Sequence, residues 1–222
     1  MIVTGGFGVL GRALGRAAVA RDWHVALVDI APEAPAELGS EPGITLYAGV
    51  DLLAEHATRT LFAEIEQRHG TIDALANIAG GFEWVMTEQT DAGIWRRMYE
   101  MNVLTAVSAS VSAIAGLTRS KGSIVNIGAN AALKTGAGMG AYTAAKAGVH
   151  RLTEGLAEEL RPAGVRVNAV LPSIIDTPTN RLSMPDADFT AWLSPLEVAK
   201  VILFLASSEA TALNGVLLPL TK

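Results

Sequence analysis

Cysteine is absent from all 222 residues. That excludes disulfides, thiolate nucleophiles and cysteine-ligated metals, and gives no sign of an oxidising compartment. Histidine is scarce too: the four, at positions 24, 56, 69 and 150, form no ligand pair at helical spacing, so no metal is expected. Positive charge is not in excess. A formal net charge of −5 argues against non-specific binding to nucleic acid. No apolar run reaches the ~18 residues of a membrane-spanning helix. The first residues, Met1 to Gly6, lack the basic start and long apolar run of a signal peptide. The expectation is a soluble cytoplasmic protein with neither a nucleic-acid nor a membrane partner.

Apolar residues are what the chain has in quantity. Hydrophobic residues make up 50% and charged residues 18%, which rules out intrinsic disorder and suffices for a sizeable core. Short β-like runs alternate with longer helical ones. Strands are read at 2–4, 24–30, 44–48, 72–77, 122–127, 165–171 and 216–220. Helices are read at 9–21, 54–69, 91–117 (one long helix or a bent pair), 142–160 and 195–207. Such alternation implies a parallel α/β sheet with helices on both faces, and right-handed crossovers make it doubly wound. No repeat or linker interrupts it, so residues 1–222 are read as one domain; the first strand is clipped, and whether residues precede Met1 stays open. Residues 173–194 are polar, contain proline and follow a strand, which predicts a lid over the ligand.

The opening turn, Thr4-Gly5-Gly6-Phe7-Gly8-Val9-Leu10-Gly11, lies between the first strand and the first helix. Amides at a helix N-terminus favour a pyrophosphate, and glycines let it approach closely. A plain tight turn is the competing reading. Asp29, closing the second strand, can accept hydrogen bonds from a ribose and would repel a 2′-phosphate, which favours NAD(H) over NADP(H). Tyr142 and Lys146 are four apart, hence on one helix face. A neighbouring ammonium is expected to lower the phenol pKa and make it an acid/base group. Taken alone, such a pair is equally an ordinary surface contact.

In family order and spacing stand the glycine turn, Asp29, Asp51-Leu52, Asn77-Ile78-Ala79-Gly80, Asn102-Val103, Tyr142-x-x-x-Lys146 and Pro172-Ser173-Ile174-Ile175-Asp176-Thr177. Over nearly its whole length the chain thus resembles the short-chain dehydrogenase/reductase family, with its Rossmann-type sheet. The resemblance implies a nicotinamide cofactor held by Gly5, Phe7, Gly8, Val9, Leu10, Gly11 and Asp29, with Asp51 and Leu52 at the adenine. Asn77, Ala79 and Gly80 would line it, and Pro172, Ile175 and Thr177 would meet its carboxamide end. Lys146 would hold the ribose, Tyr142 would move the proton, and Asn102 would hold a water in the relay. The family also implies a homodimer or homotetramer packed on the two long helices flanking residues 122–127.

Three departures stand out. Val9 replaces the middle glycine of the turn, Ser173 replaces the glycine after Pro172, and Ala129 stands where a serine normally polarises the substrate carbonyl. Loss of such a donor typically costs about 10²–10³ in rate. The segments Gly128–Leu133, Val149-His150 and Asp176–Phe189 resemble most the quinonoid dihydropteridine reductase branch, which also lacks the serine. Asn77, Asn102 and the segment Phe82-Glu83-Trp84-Val85 do not follow that branch. The expected reaction is hydride transfer to or from a small carbonyl or cyclic imine. Dihydropteridine reductase proper, and a weakly catalytic NAD-binding sensor or scaffold, are the alternatives. Gly81, Ala129, Asn130, Met184 and Trp192 are expected at the substrate, and Trp84 falls in a loop over the site. His150 is read as a partner on the helix flank, and Trp23 and Trp95 as packing.

Overall fold

The computed structural model describes residues 1–39 and 41–222. Its sheet is entirely parallel, with strands β1 (Ile2–Thr4), β2 (Val25–Val28), β3 (Ile44–Tyr47), β4 (Ala74–Asn77), β5 (Ser123–Ile127), β6 (Arg166–Pro172) and β7 (Leu217–Leu220). The spatial order is β3-β2-β1-β4-β5-β6-β7. The winding reverses beside β1, whose neighbours are β2 and β4, and the chain leaves β1 towards one face of the sheet and β4 towards the other, the arrangement that puts a ligand crevice at the carboxyl ends in such folds.

Both faces of the sheet are buried, so the strands read as continuous apolar runs. Val3, Leu27 and Val125 point to one face, under α1 (Val9–Val19), with Leu10 and Leu14, and under the last helix, Pro195–Ala206, with Val198 and Ile202. Ile2, Val28, Ile124 and Val167 point to the other, under α2 (Glu55–His69), which brings Phe62 and Ile65. Gly11 and Gly15 lie inside α1, where glycine weakens a helix by roughly 0.5–1 kcal/mol. A Cβ on Gly11 would stand 2.4 Å from the Gly5 carbonyl oxygen, so the close approach of helix to turn requires it.

The long helix predicted over 91–117 is continuous over Ala92–Ser120 but not uniform. It consists of α3 (Ala92–Tyr99), a π-helical stretch (Glu100–Leu104) and α4 (Thr105–Ser120). The Asp91 side chain accepts from Ile94 N–H and caps its start. By length and composition this helix could cross a membrane. Here the side of α4 bearing Ala109, Ala113 and Leu117 is buried in the core with Phe62 and Ile124. Beyond it follow α5 (Gly140–Leu160), a short α6 (Pro178–Ser183) and α7 (Pro195–Ala206). Ser194 and Glu197 form a reciprocal capping box at the start of α7.

Residues 173–194, expected to be loop, contain α6. Thr177 accepts from Asn180 N–H and Pro178 sits in its first turn, a strong local start signal that the loop reading passed over. The segment is also fastened to itself. Ile175 bridges Leu193 in parallel, Arg181 forks onto Asp176 at 2.6 and 2.7 Å, and the Arg181 guanidinium lies 4.6 Å over the Phe189 ring.

Beneath the crevice runs a buried polar chain. Asn77 Nδ2 donates to Asn126 Oδ1 (2.9 Å) and to Ser110 Oγ (3.0 Å), and Asn126 Nδ2 donates to Thr153 Oγ1 (2.9 Å). These side chains tie β4 and β5 to α4 and α5. Removing one member strands the others without water. Asn126→Ala is expected to lower the unfolding free energy by about 1–3 kcal/mol, read by urea denaturation; an unchanged midpoint would show that the chain carries no stability.

Candidate active site

The site residues collect at the carboxyl ends of the strands. Thr4, closing β1, accepts at Oγ1 from the N–H groups of Ile78 and Ala79, both at 3.2 Å, and so staples β1 to the turn after β4. Gly5 follows with φ +63°, and a Cβ on it would lie 2.8 Å from Ala79 N. A Cβ on Gly6 would lie 2.7 Å from that of Leu27. Only glycines fit here. Gly8 then starts α1 without a side-chain cap, and the first turn of that helix has no acidic residue. Its free N–H groups and positive dipole end are left to an anion, which is what a dinucleotide pyrophosphate brings. Phe7 and Leu10, expected at the cofactor, bury their side chains in the core, so only their backbone can reach it. Val9 is half-buried in the place of the missing glycine.

Asp29 is partly engaged already. Its Oδ2 accepts from Phe7 N–H (2.9 Å) and its Oδ1 from Ala31 N–H (3.0 Å). A carboxylate has about four acceptor positions, so room remains for ribose hydroxyls. Asp29 therefore both braces the glycine turn and presents a fixed negative charge beside it. The loop after β3 is tied to the same corner by Val50 N–H on the Asp29 carbonyl (2.9 Å), which brings Asp51 close. Leu52 is buried in the core rather than offered to an adenine, a correction to the expectation. Ile30, 67% exposed next to Asp29, is the apolar side chain available at this corner; sequence reading stopped at the acid before it.

Asn77 also needs correction. Its side chain is buried in the polar chain below the sheet edge and braces the site instead of lining the cofactor. Asn102 sits in the π-helical stretch, a distortion that is common at functional sites. Its Oδ1 accepts from Gly81 N–H (3.2 Å), and its Nδ2 donates to the carbonyls of Gly81 (3.1 Å) and Met98 (3.0 Å). Its amide is thus committed to clamping the turn after β4. A Cβ on Gly80 would lie 2.6 Å from Asn102 Oδ1 and 3.5 Å from Lys146 Nζ, so the bare glycine leaves open the space between them.

Tyr142 and Lys146 lie in the second half-turn and second turn of α5. The Lys146 ammonium donates to the Ile127 carbonyl (2.8 Å) and lies 6.0 Å from the Tyr142 ring centroid. Burial pushes Lys146 down from 10.5 to about 8 and Tyr142 up from 10.0 to about 12. The expected lowering of the phenol is not what the unliganded protein does: loss of solvation outweighs an ammonium at that distance. Lys146 has two N–H groups left for a ribose.

Ala129 is buried after β5, and Asn130 is half-buried at the start of a 3₁₀ turn. His150, one helical turn beyond Lys146, is buried, and its Nε2 accepts from Ala129 N–H at 3.4 Å. Burial first, then Arg151 and Lys146, lower its pKa. A Cβ on Gly128 would lie 2.6 Å from that nitrogen, so glycine there makes room for the imidazole. His150 is indeed a packing partner, and what it holds is the backbone that carries Ala129. Trp95 packs on the start of α5, where its ring faces Gly140.

In the segment 173–194, Thr177 spends an acceptor on Asn180 N–H and keeps its own O–H to donate. Ile175 and Pro172 are held by the bridge to Leu193 and by the pairing of β6 with β7. Met184 is 36% exposed. Trp192 is only 5% exposed and packs 4.7 Å from Phe189, so it belongs to the packing within the segment 173–194 and not to a substrate wall. A separate cavity of about 350 Å³, bounded by Met1, Trp23, His24, His69 and Asp73, opens at the amino ends of the strands, away from all of these groups.

Comparison with known proteins agrees with this geometry. The family described as short chain dehydrogenase matches residues 1–188. The chain is 31% identical to the meso-2,3-butanediol dehydrogenase of Serratia marcescens, covering 99% of this chain and 91% of that protein. It is 34% identical to the inactive 2-(S)-hydroxypropyl-CoM dehydrogenase 2 of Xanthobacter autotrophicus, covering 91% and 95%. Among solved structures it superposes on an NADP-bound protein, ElxO (TM-score 0.88, 25% identity, 98% and 95% covered). It shares its fold with an NAD⁺-bound xylitol dehydrogenase (TM-score 0.88, 22% identity, 99% and 96% covered). These relatives give the family and leave its branch undecided. A match that takes in 188 consecutive residues of 222 puts the chain in the short-chain dehydrogenase/reductase family, oxidoreductases that bind a nicotinamide cofactor, NAD or NADP.

Proposed function

We propose that the protein is an NAD(H)-preferring reductase of small conjugated carbonyl or cyclic imine compounds, with Tyr142 as the proton donor. The observation that carries this reading is the half-buried Tyr142 beside the buried Lys146, next to the glycine turns after β1 and β4, with no hydroxyl at position 129. The bound nicotinamide would supply the hydride. Lys146, fixed by the Ile127 carbonyl, orients the ribose with its remaining donors. Tyr142 holds its proton at Oη throughout the neutral range, because its pKa is pushed up to about 12, and so it is set to give that proton to a reduced oxygen or nitrogen.

Ala129 supports this substrate class. A plain ketone develops alkoxide charge that needs a second donor, whereas a conjugated imine or carbonyl spreads its charge and places it where Tyr142 can protonate it. Likeness to the quinonoid dihydropteridine reductase branch in Gly128–Leu133 supports the same class. NAD(H) preference is supported by Asp29, and by the pairing of Arg12 with Glu37 and of Arg16 with Glu41, which occupies the two arginines of α1. A homo-oligomer on α4 and α5 is supported by exposed Leu104 and Val111. The second reading, a nucleotide-binding protein with little turnover, draws on Ala129 alone, and the retained Tyr142–Lys146 pair stands against it.

Four measurements test this. Tyr142→Phe is expected to abolish reduction of an activated carbonyl while NADH binding persists; wild-type kcat in that variant would remove Tyr142 from the chemistry. Ala129→Ser is expected to raise kcat/KM for plain ketones about tenfold, some 1.4 kcal/mol in the barrier, and to change activated substrates little. Fluorescence titration is expected to give tighter binding of NADH than of NADPH, with the gap narrowed in Asp29→Ala as the repulsive charge is lost; tighter NADPH binding by the wild type would overturn the preference. In the unliganded protein the wild-type minus Tyr142→Phe absorbance difference should show no phenolate at the ordinary tyrosine pKa of 10. The sign follows from burial, which raises the pKa of an acid that is neutral when protonated. Ionisation at or below 10 would mean that Lys146 outweighs burial.

A further inference from the structure

The segment Phe82-Glu83-Trp84-Val85 follows the Gly80-Gly81 turn and takes no part in proton or hydride transfer. Phe82 nevertheless touches the proton donor. Its ring centroid lies 4.9 Å from that of Tyr142 with the planes at 89°, an edge-to-face contact. Phe82 is 54% exposed and Trp84 57% exposed, although both are large aromatics in a chain poor in them.

Exposure here does not mean looseness. Trp84 Nε1 donates to the Ala137 carbonyl (3.0 Å), and Val85 N–H donates to the Gly138 carbonyl (2.9 Å). Gly138 has φ +74°, and a Cβ on it would stand 2.2 Å from Trp84 Cε2. Glycine at 138 is thus required twice, by the turn and by the indole seated on it. Arg97 forks onto Glu83 at 3.1 and 3.3 Å and fixes the base of the segment. The loop after β4 and the loop before α5 are in this way locked together beside Tyr142, with the Trp84 indole seated on the second loop, the Phe82 ring against Tyr142 and more than half of each residue exposed. Rigid, half-exposed aromatic faces favour flat partners, because stacking costs them little conformational entropy.

We propose that Phe82 and Trp84 are the specificity-determining wall of the substrate site, and that the substrate is a flat conjugated ring stacked against them with its carbonyl or imine carried to Tyr142. The proposal rests on the reading of Tyr142 as proton donor and narrows its substrate class. It accounts for Ala129 as well: β4 and β5 are neighbours in register, Asn77 beside Asn126, so Ala129 and the wall stand at one edge of the sheet. An apolar methyl there suits a ring whose charge is delocalised.

The test uses two vicinal diketones that share a five-membered ring and differ in shape: acenaphthenequinone, which is flat, and camphorquinone, which is globular and saturated. Binding of each is measured by calorimetry with NAD⁺ present, so that no turnover intervenes, and kcat/KM of each is measured with NADH. The wild type is expected to bind the flat compound at least about tenfold more tightly. Phe82→Leu and Trp84→Leu, which keep apolar bulk, should collapse that ratio, and Phe82→Tyr should restore it. Because both compounds need Tyr142 equally, the ratio cancels any disturbance of Tyr142 or of folding. Equal affinities in the wild type, or a ratio untouched by both leucine variants, would overturn the proposal. A flat-ring preference in binding without turnover of either compound would support the wall and overturn the proton-donor reading instead.

Discussion

The approach of the β1 turn to the β4 turn is the contact on which the rest of the site depends. Thr4 Oγ1 accepts two amide protons across that gap, and Gly5 has no side chain because the backbone of Ala79 occupies its place. Here two strands that should go on diverging are held at a fixed separation. The crevice they bound is where α1 points its free N–H groups, and it needs no anion to exist. Asp29 reaches in from β2 to hold Phe7 N–H, so the same turn is braced from both sides. Pre-organisation of this kind spares the protein from ordering a loop when a dinucleotide arrives.

Buried polarity supports that surface from below. Asn77 Nδ2 is answered by Asn126 Oδ1 and Ser110 Oγ, and Asn126 Nδ2 by Thr153 Oγ1, while Asn77 Oδ1 is buried without a partner among the described residues, in a region where an unpaired group costs more than a surface one. Asn102 does the same one layer higher. The π-helical stretch swings its side chain onto Gly81, and both the N–H and the C=O of that glycine are answered by a single amide. A regular α-helix through residues 100–104 would not need the i→i+5 register that the clamp accompanies. The distortion is therefore part of how the turn after β4 is kept rigid beside Tyr142.

Burial, and not mutual charge, sets the protonation of the reacting pair. Lys146 is held close to neutrality's upper edge while Tyr142 keeps its proton. Spacing alone suggested the opposite ordering, an ammonium drawing down the phenol, since four residues on a helix face bring two side chains together. Distance and solvation decide otherwise. With the ammonium turned to the Ile127 carbonyl and 6.0 Å from the Tyr142 ring centroid, the cost of an anion without water prevails.

The sequence by itself determined the sheet, the order of its elements and the chemistry-bearing positions. Period and punctuation carry that information locally: apolar runs of three to seven residues give strands, and glycines at 5, 6 and 11 give a turn that no other residue could make. The Tyr142–Lys146 spacing and the missing hydroxyl at 129 are legible in the same way. What only the tertiary structure decided is where side chains go once elements pack. Asn77, Leu52, Phe7 and Trp192 lie beside the right backbone but turn into the core, because inward and outward faces depend on which neighbour covers them. In the sequence Trp84 stands only as a loop residue over the site, and Phe82 only as part of a segment that departs from the branch. They became a wall because a loop 53 residues further along the chain accepts the indole N–H, and a contact across that separation leaves no periodic trace in either segment.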